Sequence, residues 1–159
     1  MAVTTFAAID IGSYEVSMKI FEMSKRIGFR EINDVRYQLE LGRGTYAAGR
    51  LEMETVDELC ETLNDFKRMM AEFGVESWRA CATSSLRELE NPVIILEQIY
   101  QRTGIRVEIL SNAEQHFLGY KSIAAIESGF KRLFRRVRRS WISEEEICRS
   151  LSLIKMLWC

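Results

Sequence analysis

The chain has 159 residues, 47% hydrophobic and 28% charged, the balance of a single folded domain with an ordinary apolar core. No run approaches the roughly 18 apolar residues of a membrane-spanning helix, and Met1-Ala2-Val3-Thr4-Thr5 lacks the basic-then-apolar layout of a secretory signal, so no membrane partner is expected and the compartment is expected to be the cytoplasm. The formal charge of -1 hides an asymmetry, because residues 131–159 carry eight Lys or Arg against three Glu while residues 1–130 are net acidic, which places a boundary near Phe130.

Residues 4–11 read as a strand, and residues 15–21 continue with Val16, Met18 and Ile20 alternating against Ser17, Lys19 and Phe21, the period of two expected of a sheet. The pair forms a hairpin turning at Gly12 to Tyr14. In Ala7-Ala8-Ile9-Asp10-Ile11-Gly12-Ser13 an apolar strand ends in a carboxylate, a glycine that lets backbone N–H groups approach a ligand, and a hydroxyl donor. That is the grammar of a phosphate loop, and Asp-x-Gly-Ser is equally an ordinary hairpin turn. A third alternating stretch runs from Phe29 to Leu41, so three strands precede any helix and open the sheet as an antiparallel meander. Gly42 to Arg50 reads as a glycine-punctuated loop whose guanidinium groups, Arg43 and Arg50, suit either a phosphate or a solvated surface.

From Thr55 the period becomes helical, with Val56, Leu59, Cys60, Leu63, Phe66, Met69, Met70 and Phe73 on one face, a capping box at Thr55 and Glu58, and Gly74 at the stop. Val75 to Thr83 is a strand feeding Thr83-Ser84-Ser85-Leu86-Arg87. Small hydroxyls followed by an arginine are what an anion site at a strand's carboxyl end needs, and they also fit a helix N-cap at Ser84 or Ser85 with Arg87 in solvent. Asn91-Pro92 opens the next helix and Gly104 closes it, before a short strand from Ile105 to Leu110. Ser111-Asn112-Ala113-Glu114 then starts a last helix whose inner face is expected to hold Phe117, Leu118, Tyr120, Ile123, Ala124 and Ile126. Ser111 and Glu114 form a capping box, and Glu114 is also placed to act as a general base beside the phosphate loops. His116 has no companion at metal-ligand spacing and is read as exposed; Cys60, Cys81, Cys148 and Cys159, with no C-x-x-C pairing, are read as buried thiols. Strand, helix, strand, helix, strand after an opening meander makes an α/β layered fold with a mixed sheet and flanking helices.

Four motifs stand in one order: Ala8 to Ser13; Leu41-Gly42-Arg43-Gly44 with Gly49-Arg50-Leu51; Ala82 to Glu88 with Glu90-Asn91; and Thr103-Gly104-Ile105 through to Glu114. Together they resemble the N-terminal lobe of the exopolyphosphatase and guanosine pentaphosphate phosphohydrolase family, over residues 6 to about 128. The resemblance implies an actin-like ATPase (ribonuclease H-like) lobe, Mg²⁺, and hydrolysis of phosphoanhydride bonds that releases the terminal phosphate of polyphosphate or guanosine pentaphosphate. It makes Asp10 a metal-site residue, Gly12 and Ser13 phosphate contacts beside the anion donors Thr83 and Ser84, Arg87 a clamp on substrate phosphates, and Glu114 the catalytic glutamate that activates water. This chain departs from the family in having Tyr14-Glu15 where an Asn-Ser pair is usual, and Asn112 and Gln115 where a glycine and a second glutamate are common. A non-catalytic nucleotide, alarmone or polyphosphate binding module is the alternative.

Residues 1–130 are thus expected to form this first lobe. Residues 131–159, which begin Lys131-Arg132-Leu133-Phe134-Arg135-Arg136, do not spell the family's second phosphate loop, Asp-x-Gly-Gly-Gly, and are expected to be a basic, non-native tail. Trp141-Ile142 read from the third base of the tryptophan codon gives GAT, aspartate, and permitted codons let residues 139–146 read Ala-Ile-Val-Asp-Ile-Gly-Gly-Gly in that frame, the signature of a frameshift. Taken at face value the tail could meet nucleic acid, the least favoured partner. An unpaired lobe that exposes an apolar cleft face leaves a homodimer open, and such a lobe alone is expected to be inactive.

Overall fold

A computed structural model describes residues 3–24 and 28–118. The expectations for Tyr120, Ile123, Ala124, Ile126, Cys148, Cys159 and the tail at 131–159 lie outside the described residues. The strands are β1 (Thr4–Ile11), β2 (Glu15–Ser24), β3 (Gly28–Gln38), β4 (Ser77–Ala82) and β5 (Val107–Ile109). They form one five-stranded sheet in the order β3-β2-β1-β4-β5. The meander β1-β2-β3 is antiparallel, whereas β4 pairs parallel with both β1 and β5. A mixed sheet results, as the strand and helix order implies.

β1 sits in the middle of the sheet, and Phe6, Ala7, Ala8, Ile9 and Ile11 are all fully or almost fully buried. A strand covered on both faces must be apolar on both, which is why this segment reads as a run rather than an alternation. Its even and odd residues enter different cores. Ala7, Ile9 and Ile11 join Val16, Met18 and Ile20 of β2 and Ala80 and Ala82 of β4 in the main core, while Phe6 and Ala8 join Phe21, Cys81, Leu110 and Leu118 on the other face. Asp10, on the same side of β1 as Phe6 and Ala8, stands in register with Ser17 on β2 and Cys81 on β4. Lys19, also buried, lies 3.4 Å from both Glu31 and Asp34 across the strand pair, so its charge leaves water only with two partners.

The helices are α1 (Leu41–Ala48), α2 (Met53–Glu72), the single turn α3 (Ser84–Arg87) and α4 (Pro92–Thr103). Val56, Leu59, Cys60, Leu63, Phe66 and Met70 of α2 fill the main core as the period requires, and the Phe66 ring lies tilted against Tyr37 at 5.6 Å. Phe73, expected on that face, is 40% exposed at the helix end. α2 also begins earlier than expected. Its N-cap is Glu52, without a side-chain cap, and Thr55 already lies inside the helix, so Thr55 and Glu58 form no capping box. The stop is as read: Gly74 takes a left-handed φ of 61°, and the Val75 N–H reaches the Met70 carbonyl at 2.8 Å.

The largest correction concerns residues 42–50, of which 42–48 form helix rather than loop. Gly42 and Gly44 lie inside α1 because neighbours crowd them: a Cβ on Gly42 would stand 2.8 Å from the Tyr46 ring and 3.0 Å from Ser13 Cβ, and one on Gly44 would stand 2.9 Å from the Arg50 carbonyl. Leu41 and Thr45 are buried, which anchors the helix despite its glycines. Arg50 pairs with Glu90 at 3.1 Å and Arg43 lies 3.8 Å from Glu40, both on the surface, so the solvated reading of these guanidinium groups holds.

Candidate functional site

Three loops leave the carboxyl ends of the parallel strands side by side: Gly12 to Tyr14 after β1, Thr83 after β4, and Leu110-Ser111 after β5. Backbone bonds continue the ladder past the strand ends, from Thr83 N–H to the Ile11 carbonyl at 3.4 Å and from Leu110 N–H to the Ala82 carbonyl at 2.9 Å. This is where open α/β sheets bind ligands.

The first loop is tight. Gly12 N–H donates to the Glu15 carbonyl at 3.0 Å, and a Cβ on Gly12 would stand 2.9 Å from that oxygen, so the turn excludes a side chain by contact. The Ser85 hydroxyl lies 3.2 Å from the Gly12 carbonyl and 3.4 Å from that of Ile11, tying α3 to the loop. Thr83 is the N-cap of α3 and makes no side-chain cap bond, so the capping expected of Ser84 or Ser85 is not their task. Ser84 instead meets Ser13, hydroxyl to hydroxyl, at 3.0 Å. Thr45, buried, shares its hydroxyl proton between the Leu41 carbonyl at 3.1 Å and the Ser85 carbonyl at 2.9 Å and so locks α1 onto α3.

Arg87 points back across the site. Its Nη1 donates to the Leu110 carbonyl at 2.7 Å, its Nε lies 3.5 Å from Glu88, and the side chain is about four-fifths buried. The guanidinium therefore spans from the loop after β4 to the loop after β5. There the Glu114 Oε2 accepts from the Ser111 N–H at 2.9 Å and the Ser111 hydroxyl at 2.7 Å, while the Glu114 N–H donates to that hydroxyl at 3.2 Å. The capping box is thus real, at the head of the helical residues 112–118. The bonds from Ser111 hold the exposed Glu114 carboxyl below its usual range, with Arg79 adding a smaller pull in the same direction. Leu118 is buried beneath this turn, whereas Phe117 and His116 are exposed.

Asp10 is the outlier. Burial, with a further contribution from the Glu15 carboxylate, pushes its pKa up to about 7, and its Oδ1 is buried with no hydrogen-bond partner among the described residues. Glu15 itself is half-exposed and lies 3.4 Å from Arg36. An orphaned oxygen beside a second carboxylate has the donor chemistry of a hard cation site. Among the described residues, His, Cys, Asp and Glu form no group of three that could hold a metal ion, so a cation on Asp10 would complete its shell with water and ligand oxygens, as Mg²⁺ commonly does. Burial likewise pushes the neighbouring Cys81 thiol up to about 12, which leaves it inert.

Sequence reasoning missed Tyr46. Its hydroxyl lies 2.7 Å from Ser13 Oγ and 2.7 Å from Ser84 Oγ, so that three hydroxyls meet at the mouth of the first loop. The spacing of Gly42 and Tyr46, four residues apart on one helix face, was the available signal, and reading residues 42–50 as a loop concealed it. The lining of a cleft of about 310 Å³ includes Trp78, Arg79, Tyr100, Arg106 and Glu108 and none of these three hydroxyls.

The fold is that of a lobe of the actin-like ATPase class: the described chain superposes on the crystal structure of an Aquifex aeolicus Ppx/GppA family member with a TM-score of 0.72 and 28% identity, over 77% of this chain and 40% of that one. The Ppx/GppA phosphatase family matches residues 20–131, and the chain belongs to that family. Among curated relatives it is 22% identical over 115 residues to exopolyphosphatase 1 of Mycobacterium leprae, covering 72% of this chain and 34% of the relative. It is 24% identical over 124 residues to the guanosine-5'-triphosphate,3'-diphosphate pyrophosphatase of Vibrio parahaemolyticus, covering 78% of this chain and 25% of the relative. The chain therefore spans about a third or less of the length of these relatives.

Proposed function

We propose that these residues form one wall of a phosphoanhydride hydrolase site that acts on inorganic polyphosphate or guanosine pentaphosphate. The observation that carries this reading is the convergence of the Ser13 and Ser84 hydroxyls, the Arg87 guanidinium and the Glu114 carboxylate on the loops at one end of three neighbouring parallel strands. The hydroxyls of Ser13, Thr83 and Ser84 supply the short donors to a phosphate, Gly12, its N–H spent on the Glu15 carbonyl, shapes the turn that carries Ser13, and Arg87, held on the Leu110 carbonyl, offers its remaining N–H groups to the same anion. Glu114, kept ionised by Ser111, orients a water toward the terminal phosphorus; the capping box occupies Oε2, and Oε1 is the oxygen assigned to the water. Asp10 would hold Mg²⁺, which when bound offsets the negative charge that builds on the transferred phosphoryl oxygens.

Phosphoryl transfer draws on both walls of a cleft, and the 159-residue chain by itself is expected to bind polyphosphate while releasing little phosphate. The test is equilibrium titration of this chain with tripolyphosphate, alone and as Arg87→Ala. Loss of a charge-assisted bidentate contact predicts binding weaker by about tenfold or more; unchanged binding refutes the site. Wherever phosphate release is measurable, Glu114→Gln should abolish it and leave binding intact, since glutamine at this position preserves a capping box. Release that survives Glu114→Gln would instead favour the reading of Gly12, Ser13 and Arg87 as a binding module without turnover.

A further inference from the structure

We infer that Tyr46 is a specificity-determining residue of this site: its hydroxyl is the third short donor, with Ser13 and Ser84, to a single bound phosphate group. The inference rests on the anion-site reading above and adds to it a residue that neither the motifs nor the strand-end loops contain. The three oxygens are mutually 2.7, 2.7 and 3.0 Å apart, close enough for each hydroxyl to donate to the next and accept from the last. Three donors and three acceptors are then satisfied in a closed ring, using up every hydroxyl proton. Such a ring is made of neutral hydrogen bonds. An anion seated over it lets the three protons rotate outward together, exchanging neutral bonds for charge-assisted ones of roughly twice the strength.

Two further observations place the phenol there by construction. Tyr46 is 59% exposed, so nothing in its burial holds the ring in place, yet its hydroxyl lies inward against both serines. Gly42, one helical turn earlier, makes the approach possible, because its missing Cβ would stand 2.8 Å from Tyr46 Cε2 and 3.0 Å from Ser13 Cβ. The first turn of α1 is further fixed to the loop by the Gly42 N–H, which donates to the Ser13 carbonyl at 2.8 Å. The helix thus delivers the phenol and the glycine clears its path. A ring of three hydroxyls carries no charge of its own, so it selects an anion by donor geometry, leaving charge neutralisation to Arg87.

The test is tripolyphosphate titration of the full chain as wild type, Tyr46→Phe and Ser13→Ala. Tyr46→Phe keeps the ring against Gly42 and removes only the hydroxyl of a residue that is 59% exposed, so folding is preserved, and far-ultraviolet circular dichroism verifies it. Both variants are expected to bind about tenfold more weakly, the effect of one lost hydrogen bond to a charged partner. If Ser13→Ala weakens binding while Tyr46→Phe leaves it unchanged, the anion site stands and the role of Tyr46 is overturned. Tighter binding by Tyr46→Phe overturns it too, since the phenol would then be a competitor for the serine hydroxyls. If neither variant changes binding, the anion-site reading itself fails.

Discussion

Asp10→Asn probes the one carboxylate among the described residues with a buried oxygen, Oδ1, that has no hydrogen-bond partner. Burial holds its pKa at about 7 against an ordinary 3.8, so between those values the folded chain keeps a proton that the unfolded chain has released. Stability conferred by this group is therefore full below 3.8, declines as pH rises to about 7, and is level above. The difference between those two values corresponds to about 4 kcal/mol at most. Asparagine is near-isosteric with the protonated acid and lacks this dependence. The two proteins should match in stability at low pH, and Asp10→Asn should be the more stable by up to about 4 kcal/mol above pH 7. Urea unfolding followed by circular dichroism across that pH range, with chelator present, gives the difference directly. A difference that does not change with pH, or an Asp10→Asn protein less stable than wild type at high pH, refutes the account of Asp10 as a desolvated acid. Repeating the high-pH series with Mg²⁺ adds a second reading: an ion held by Asp10 at 100 times its Kd would return about 2.7 kcal/mol to wild type and nothing to the variant.

Glu15→Gln removes the second cause of the Asp10 shift, so the midpoint of the pH-dependent loss of stability should move below about 7, and tripolyphosphate should bind more tightly with one fewer carboxylate nearby; an unmoved midpoint shows that Glu15 does not act on Asp10. Gly42→Ala sets two effects against each other. Alanine in a helix gains about 1 kcal/mol over glycine, while a methyl forced to 2.8 Å from the Tyr46 ring and 3.0 Å from Ser13 Cβ costs about 1–3 kcal/mol. The expected outcome in thermal unfolding is a net loss, accompanied by weaker tripolyphosphate binding as the ring is displaced; a stabilised variant that binds like wild type refutes the crowding at Gly42.

How much was legible in the sequence differs from residue to residue. The period-two runs of β1 and β2, the 3.6-residue stripe from Val56 to Met70, the left-handed stops at Gly74 and Gly104 and the Ser111–Glu114 capping box were all readable, because each is enforced within a few residues of itself. The order of the four motifs went further and indicated the family. α1 was misread because glycine in isolation signals a loop, whereas Gly42 and Gly44 are present for close approach to Tyr46, Ser13 and Arg50.

By itself, then, the sequence determined the five strands, the helices α2 and α4, and the chemical inventory along the chain: Asp10, Ser13, Ser84, Arg87 and Glu114. Tertiary structure alone decided which of these meet. Ser13 and Ser84 touch across 71 residues because β4 inserts parallel beside β1, and Tyr46 joins them because α1 packs its buried Leu41 and Thr45 against the same end of the sheet. The raised pKa of Asp10 is likewise set by the assembled sheet, in which β1 lies between β2 and β4, through burial and the nearby Glu15 carboxylate. Local periodicity records only how a segment satisfies its own backbone and shows one face to a core. Contacts between distant segments depend on which faces pair, and that choice is made by the whole core at once.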